Sequence, residues 1–514
     1  MKTPLFSKLL QAWALARAQQ QPDGHIEAFL ANQASRRRFL KTSLQTGLVA
    51  GLGGAQALFP VYQGAFKPKV VVVGAGLSGL TAAHYLRKKG IDPIVYESDK
   101  RMGGRIKSSH RFDNGQLYTE LGAEFINSNH KDMFRLIREL GLKNKVLDTF
   151  DDKLNGREWL YVRGQKYSLL DLVQELNAIY PQIIADKSRL HIPDQSAKFD
   201  QISIADYIDR MPVSLWVQSL LNSAFTGENG LETSEQSALI FLTTFGAKTN
   251  AFNPFGESDE RYKIIGGNEQ IITALAQKVD TDIRFEHRLE SVLENSNGSV
   301  SLTFNQGGGR LLEETADAVI LTLPFTILRN IDFAVSVCDE KCQAIQELSY
   351  GANTKFILET KQRIWREAGS LGFMLNEVVH NGWDSSQLQH NNSGTGTYTV
   401  FLGGEEAQKA ALGTEARQLS RCMPVLNQAF PGFEGACTGQ NQLVYWPGNP
   451  HVYASYSCFS IGQMTRFAGQ AFAPVGNIFF AGEHCSDDFW GYMNGAAETG
   501  RKAAELVLKK ALRQ

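Results

Sequence analysis

The sequence predicts an α/β protein in which a discontinuous, Rossmann-like dinucleotide-binding domain packs on a substrate domain of mixed sheet and helices. Three observations lead there. A β-branched run at residues 69–73 feeds a glycine-rich turn and then a helical apolar period. A second strand ending in an acid follows about 20 residues after the turn, as such a fold requires. A buried-looking strand, an acid-bearing turn and a helix start then recur near the far end of the chain, at residues 477–500.

The glycine turn is Gly74-Ala75-Gly76-Leu77-Ser78-Gly79, and the acid is Glu97, closing Ile94-Val95-Tyr96-Glu97. Gly74, Gly76 and Gly79 let the backbone approach a pyrophosphate, which the following helix N-terminus stabilises with its unpaired N–H groups. Glu97 is placed to accept hydrogen bonds from an adenosine ribose.

Composition narrows the function classes. With 514 residues, 43% hydrophobic and 20% charged, the chain suits two or three packed domains and excludes a disordered, collagenous or disulfide-scaffold protein. A mean hydropathy of −0.23 excludes a polytopic membrane protein. Seven of the 52 basic residues but only two of the 53 acidic ones fall in the first 57 positions, so the remainder carries 45 against 51, net −6. Such a surface has no reason to bind nucleic acid, which leaves small molecules as partners. Cys338, Cys342, Cys422, Cys437, Cys458 and Cys485 form no CxxC pair and no zinc-type cluster with histidines, so no metal site is expected and the thiols read as buried or idle.

The N-terminal region has its own pattern. Ser35-Arg36-Arg37-Arg38-Phe39-Leu40-Lys41 precedes a glycine-rich, uncharged stretch at residues 42–54 and the small-x-small triplet Ala55-Gln56-Ala57. This resembles a twin-arginine signal, a receptor-read address for export of folded, cofactor-loaded proteins. Residues 1–57 are accordingly expected to be a leader, the twin-arginine export machinery a partner, and the protein periplasmic or secreted, or membrane-tethered if the leader is kept. An amphipathic piece at residues 5–18 has no purpose visible in the sequence.

Arg101-Met102-Gly103-Gly104-Arg105 and Glu120-Leu121-Gly122-Ala123-Glu124-Phe125-Ile126, taken with Ala481-Gly482-Glu483 and Gly491-Tyr492-Met493, make the chain similar to the flavin amine oxidase family, whose members include monoamine, polyamine and L-amino-acid oxidases. The resemblance implies FAD, with Gly103, Gly104 and Arg105 lining it, Glu483 at the ribityl-phosphate region and Met493 at the ring. It implies that the backbone of Val292 meets the adenine. It implies catalytic roles for Lys355, as a strand lysine holding a water at flavin N5, and for Tyr456 and Tyr492, as two walls of an aromatic cage around the amine. Ser455 stands where covalent members carry cysteine, so the FAD is expected to be non-covalent. The arginine that clamps a substrate carboxylate in animal L-amino-acid oxidases is missing near Glu124 and Phe125, leaving Arg363 or Arg366 as alternatives. Asp487, Asp488 and Trp490 could meet a distal cationic group, or simply cap the following helix.

The implied domain layout has FAD-binding pieces at residues 68–145, 261–325 and 456–514 and substrate-domain pieces at residues 146–260 and 326–455. The implied reaction is oxidative deamination of a primary amine, diamine or polyamine, with O2 reduced to hydrogen peroxide. An L-amino-acid oxidase and a flavin dehydrogenase feeding a cytochrome or quinone are the alternatives. A homodimer is compatible with each.

Overall fold

A computed structural model describes residues 9, 11–16, 67–149, 159–244, 258–335, 339–367, 369–390 and 394–512. The arginine motif, the cleavage triplet and Cys338 lie outside these residues.

The strand Val70–Val73 is buried along its whole length, which is why its sequence is continuously apolar instead of alternating. It is the centre of a five-stranded sheet in the order Ile478–Phe480, Ala318–Leu321, Val70–Val73, Ile94–Tyr96, Ile283–Arg284. Every neighbouring pair is parallel. The sheet draws on three distant stretches of chain, so the cofactor domain is discontinuous, as expected. The helix Leu77–Arg87 covers one face, and the C-terminal helix Met493–Ala511 packs against that helix. Gly500 permits the approach, since a Cβ there would lie 2.3 Å from the Ser78 carbonyl oxygen.

Beside this sheet lies a four-stranded one, in the order Leu311–Ala316, Val300–Asn305, Arg288–Glu294, Asp332–Ala334. The substrate domain centres on a third sheet, in the order Met374–Asn376, His380–Asp384, Gly396–Gly403, Asn353–Thr360, Cys437–Tyr445. Its pairs are antiparallel, whereas the four-stranded sheet is mixed, with Arg288–Glu294 parallel to Asp332–Ala334. Its inner strands Asn353–Thr360 and Gly396–Gly403 are buried at all eight positions each, because the helices Gly404–Leu412 and Glu415–Ala429 join the cluster on one face and the cofactor domain lies on the other. Helices Leu169–Lys187, Ile204–Asp209, Leu215–Asn229 and Ala238–Thr244 also belong to this domain. The first two open on full capping boxes, Ser168 with Asp171 and Ser203 with Asp206.

Where the first substrate-domain excursion leaves and returns, Val146–Asp148 pairs antiparallel with Tyr262–Ile264. Residues 9 and 11–16, within the region expected to be a leader, are helical, and Leu9, Ala12, Trp13, Leu15 and Ala16 join the largest hydrophobic core.

Gly79 sets the tightest contact at the nucleotide turn, because a Cβ there would lie 1.9 Å from the Gly74 carbonyl oxygen. Gly79→Ala is expected to lower stability by roughly 1–3 kcal/mol through overpacking. A smaller urea midpoint at unchanged m value, together with a lower ratio of bound flavin to protein, checks this.

Candidate active site

The cofactor strands, the loops after them and the inner sheet of the substrate domain line a cleft that runs from Gly74 and Gly76 to Tyr456 and Tyr492. A cleft with a glycine turn at one end and aromatic side chains at the other suits a dinucleotide plus a small substrate.

At one end Gly74 takes φ +105°, which glycine tolerates, and Thr322 packs where a Cβ would stand. Gly76 differs. A Cβ there would meet nothing within 4 Å, so the backbone faces open cleft at the N-terminus of Leu77–Arg87. The loop Arg101-Met102-Gly103-Gly104-Arg105 comes alongside through a bridge between Gly76 and Gly103, in which the Gly103 amide donates to the Ala75 carbonyl at 2.8 Å. Gly103 and Gly104 both have positive φ, and Arg101 ties the loop by donating to the carbonyls of Met102, Gly104 and Ile106. Glu97 lines the cleft and accepts from the Ala75 amide at 2.7 Å and the Asp99 amide at 2.9 Å, so it fixes the turn as well as facing the ribose position. The N-terminus of Met493–Ala511 also opens here, with Met493 on the wall. Two helix N-termini and a side-chain-free cradle fit the pyrophosphate of FAD.

Glu483 lines the cleft. Its carboxylate accepts from Arg105 Nη1 at 2.8 Å, the Ser457 amide at 3.1 Å, Ser457 Oγ at 2.7 Å and the Gly491 amide at 2.7 Å, so it ties three segments of the wall together. Burial raises its pKa, but Arg105 and these donors outweigh that and hold it at about 2.

Val292 lies in Arg288–Glu294, which pairs with a strand on each edge, Val292 opposite Leu302 and Phe333, and it is not among the residues that line the cleft. Arg363 and Arg366 sit away from the cleft, where they hold Ser386, the Gln389 carbonyl and Asp384. Asp487 accepts from the Gly469 amide, and Trp490 packs edge-on against Phe459; neither these nor Asp488 line the cleft.

Lys355, Tyr456 and Tyr492 do meet there. Tyr456 donates to the Glu228 carbonyl, and the Tyr492 hydroxyl lies 3.1 Å from Ser258 Oγ. Burial drives both phenols well above their ordinary pKa, with Glu228 and Glu260 adding to the effect. Lys355 Nζ donates to the carbonyls of Glu120 and Gly122 at 2.8 and 3.0 Å and to Glu124 Oε2 at 2.7 Å. These three acceptors fix the direction of the ammonium group on the cleft wall. Burial pulls the pKa of Lys355 down against the opposing pull of Glu124.

Glu124 was missed as a partner in the sequence. Its other oxygen accepts from Lys263 Nζ at 2.6 Å and Trp383 Nε1 at 3.1 Å, so two buried lysines share one carboxylate held at about 2. Glu120, beside it, is pushed up to about 7 by burial and by Glu124. The wall residue Thr322 was missed too, although the apolar run Ala318–Leu321 that delivers it was legible as a strand end.

Because the folded pKa of Glu483 lies below its usual 4.5, the stability it supplies is complete above that value and is lost as pH falls toward about 2. Glu483→Gln is expected to cost a few kcal/mol at pH 7 and to flatten the acid limb of the stability curve between pH 4.5 and 2. Urea titrations of both proteins across that range check it.

The sequence matches the family described as Flavin containing amine oxidoreductase over residues 77–508. It is 26% identical over 473 residues to amine oxidase [flavin-containing] A of Equus caballus, covering 85% of this chain and 84% of that protein. It is 25% identical to polyamine oxidase 5 of Oryza sativa subsp. japonica, with 86% and 88% covered, and 22% identical to an L-amino-acid oxidase of Daboia russelii, with 85% and 88% covered. Among solved structures the fold is shared with cyclohexylamine oxidase from Brevibacterium oxydans IH-35A, at TM-score 0.75, 20% identity, 87% of this chain and all of that one. It is shared likewise with wild-type putrescine oxidase bound to putrescine, at TM-score 0.74, 19% identity, 86% of this chain and 99% of that one. With a cofactor cradle that fits FAD and a family match spanning almost the whole described body, the chain belongs to the flavin-containing amine oxidoreductases.

Proposed function

We propose that the protein oxidises a small amine lacking a carboxylate, holding FAD non-covalently and using oxygen as acceptor. The carrying observation is the meeting of Lys355, Tyr456 and Tyr492 in the cleft that also contains the glycine cradle. FAD, when bound, takes two electrons and a hydrogen from the carbon bearing the amine and returns the electrons to oxygen. Amine, oxygen and water thereby give a carbonyl compound, ammonia and hydrogen peroxide.

The chain's own groups orient and desolvate. Tyr456 and Tyr492 are fixed by their hydroxyls and stay neutral phenols, so neither can deprotonate an ammonium, and the amine must react as the free base. Their rings present apolar faces to it. Lys355 keeps a positive charge beside the site, oriented by Glu124, where negative charge on the reduced cofactor and on oxygen is stabilised. A carboxylate-bearing substrate is disfavoured by the arginines on the wall: Arg101 is engaged by three carbonyls and Arg105 by Glu483 and the Ser455 carbonyl. Ser455, whose hydroxyl donates to the Gly351 carbonyl or to Asn353 Oδ1, supports non-covalent attachment.

Anaerobic addition of monoamines, diamines or polyamines is expected to bleach the yellow protein, and air to restore the colour with peroxide. Bleaching by L-amino acids alone would overturn the substrate class; reoxidation by quinone or cytochrome and not by air would overturn the acceptor. The value of kcat/KM is expected to rise with pH as the amine loses its proton, and Lys355→Met to slow reoxidation by roughly 10²-fold.

We also infer export by the twin-arginine route, supported by residues 35–57 of the sequence. Arg36→Lys with Arg37→Lys is expected to retain the flavin-loaded protein in the cytoplasm, as cell fractionation will show.

A further inference from the structure

The helix at residues 9 and 11–16 stands ahead of the arginine motif, yet it is buried on every side. Leu9, Gln11, Ala12, Trp13, Ala14, Leu15 and Ala16 are each at most 8% exposed. At 100° per residue these positions run right round a helix, whereas a helix lying on a surface keeps one face in water. The Trp13 ring lies 5.0 Å from that of Tyr180, on the substrate-domain helix Leu169–Lys187. Leu9, Ala12, Trp13, Leu15 and Ala16 join one core with Leu172, Leu176, Ile179 and Ile183 of that helix. An export address needs its arginine pair and apolar stretch to be accessible; it has no use for a tryptophan locked in the interior of its cargo.

We propose that the N-terminal helix is a permanent structural element of the enzyme, seated on Leu169–Lys187, and that it remains there non-covalently if the leader is cut after Ala57. Hydrolysis of that peptide bond would break one covalent link and none of the contacts above. Removing the helix would expose apolar surface both on itself and on the helix it covers, which opposes release. The leader thus has two separable parts: a body-bound helix, and an address beyond it at residues 35–57. This inference concerns the substrate domain's framework and is independent of the amine chemistry.

The test introduces a specific protease site within residues 22–34 of the full-length, FAD-loaded protein. After cutting, the N-terminal fragment is expected to co-elute one-to-one with the body in gel filtration and to leave only in denaturant, as mass spectrometry of the peak will show. Trp13→Ala with Leu9→Ala in the same protein is expected to release the fragment on cutting and to lower the melting temperature of the body. Separation of the unaltered fragment on cutting, with no change in melting temperature, overturns the proposal. So does unaltered retention of the doubly substituted fragment. Deletion of residues 2–21 gives a second arm: loss of soluble protein or a lower melting temperature is expected, and a chain that melts and retains flavin like the full-length protein overturns it.

Discussion

The ion pair between Arg105 and Glu483 joins points 378 residues apart, and the shape of the cleft depends on it. Arg105 ends the loop that meets the glycine turn, and it also donates to the Ser455 carbonyl, beside Tyr456. Glu483 follows the last strand of the parallel sheet and gathers Ser457 and Gly491, neighbours of Tyr456 and Tyr492. One part-buried charge pair therefore ties the cofactor loop to the segments that carry Tyr456 and Tyr492. Breaking such a pair by removing one partner leaves an uncompensated buried charge, which is far costlier than never having made it.

A second buried charge centre sits across the cleft. Glu124 holds Lys355 and Lys263, and the carbonyls of Glu120 and Gly122 complete the coordination of Lys355. The Lys355 ammonium on the cleft wall is thus held in one geometry by protein groups, and under the proposed reading that is what electrostatic preorganisation demands. Trp383, on the neighbouring strand, donates to the same carboxylate and closes the cluster on the substrate-domain side.

Much of this was legible in the sequence because local chemistry carried it. The valine run, the glycines and Glu97 announce a nucleotide turn through backbone requirements that hold within about 30 residues. Lys355, Tyr456 and Tyr492 came from the family resemblance and do share the cleft. What sequence could not show were contacts between distant segments: that the carboxylate of Glu483 accepts from four donors, that Lys263 and Lys355 share Glu124, one on each oxygen, or that Val292 lies in a strand paired on both edges. The same holds for Arg363 and Arg366, whose side chains are engaged by Ser386, the Gln389 carbonyl and Asp384. The helix at residues 9 and 11–16 looked amphipathic and unassigned because its partner, Leu169–Lys187, lies more than 150 residues further on.

The ladder between Val146–Asp148 and Tyr262–Ile264 brings the two ends of a long excursion side by side, Asp148 opposite Tyr262. Topologically the helical lobe between them is a loop whose mouth is closed by three residue pairs. Its interior can be lengthened, trimmed or recombined while its two anchor points stay where they are. Among the described residues the lobe reaches the cleft from behind, through the Glu228 carbonyl that accepts from Tyr456 and through Ser258 Oγ beside the Tyr492 hydroxyl, so a change within it can shift those two rings while the nucleotide cradle stays as it is.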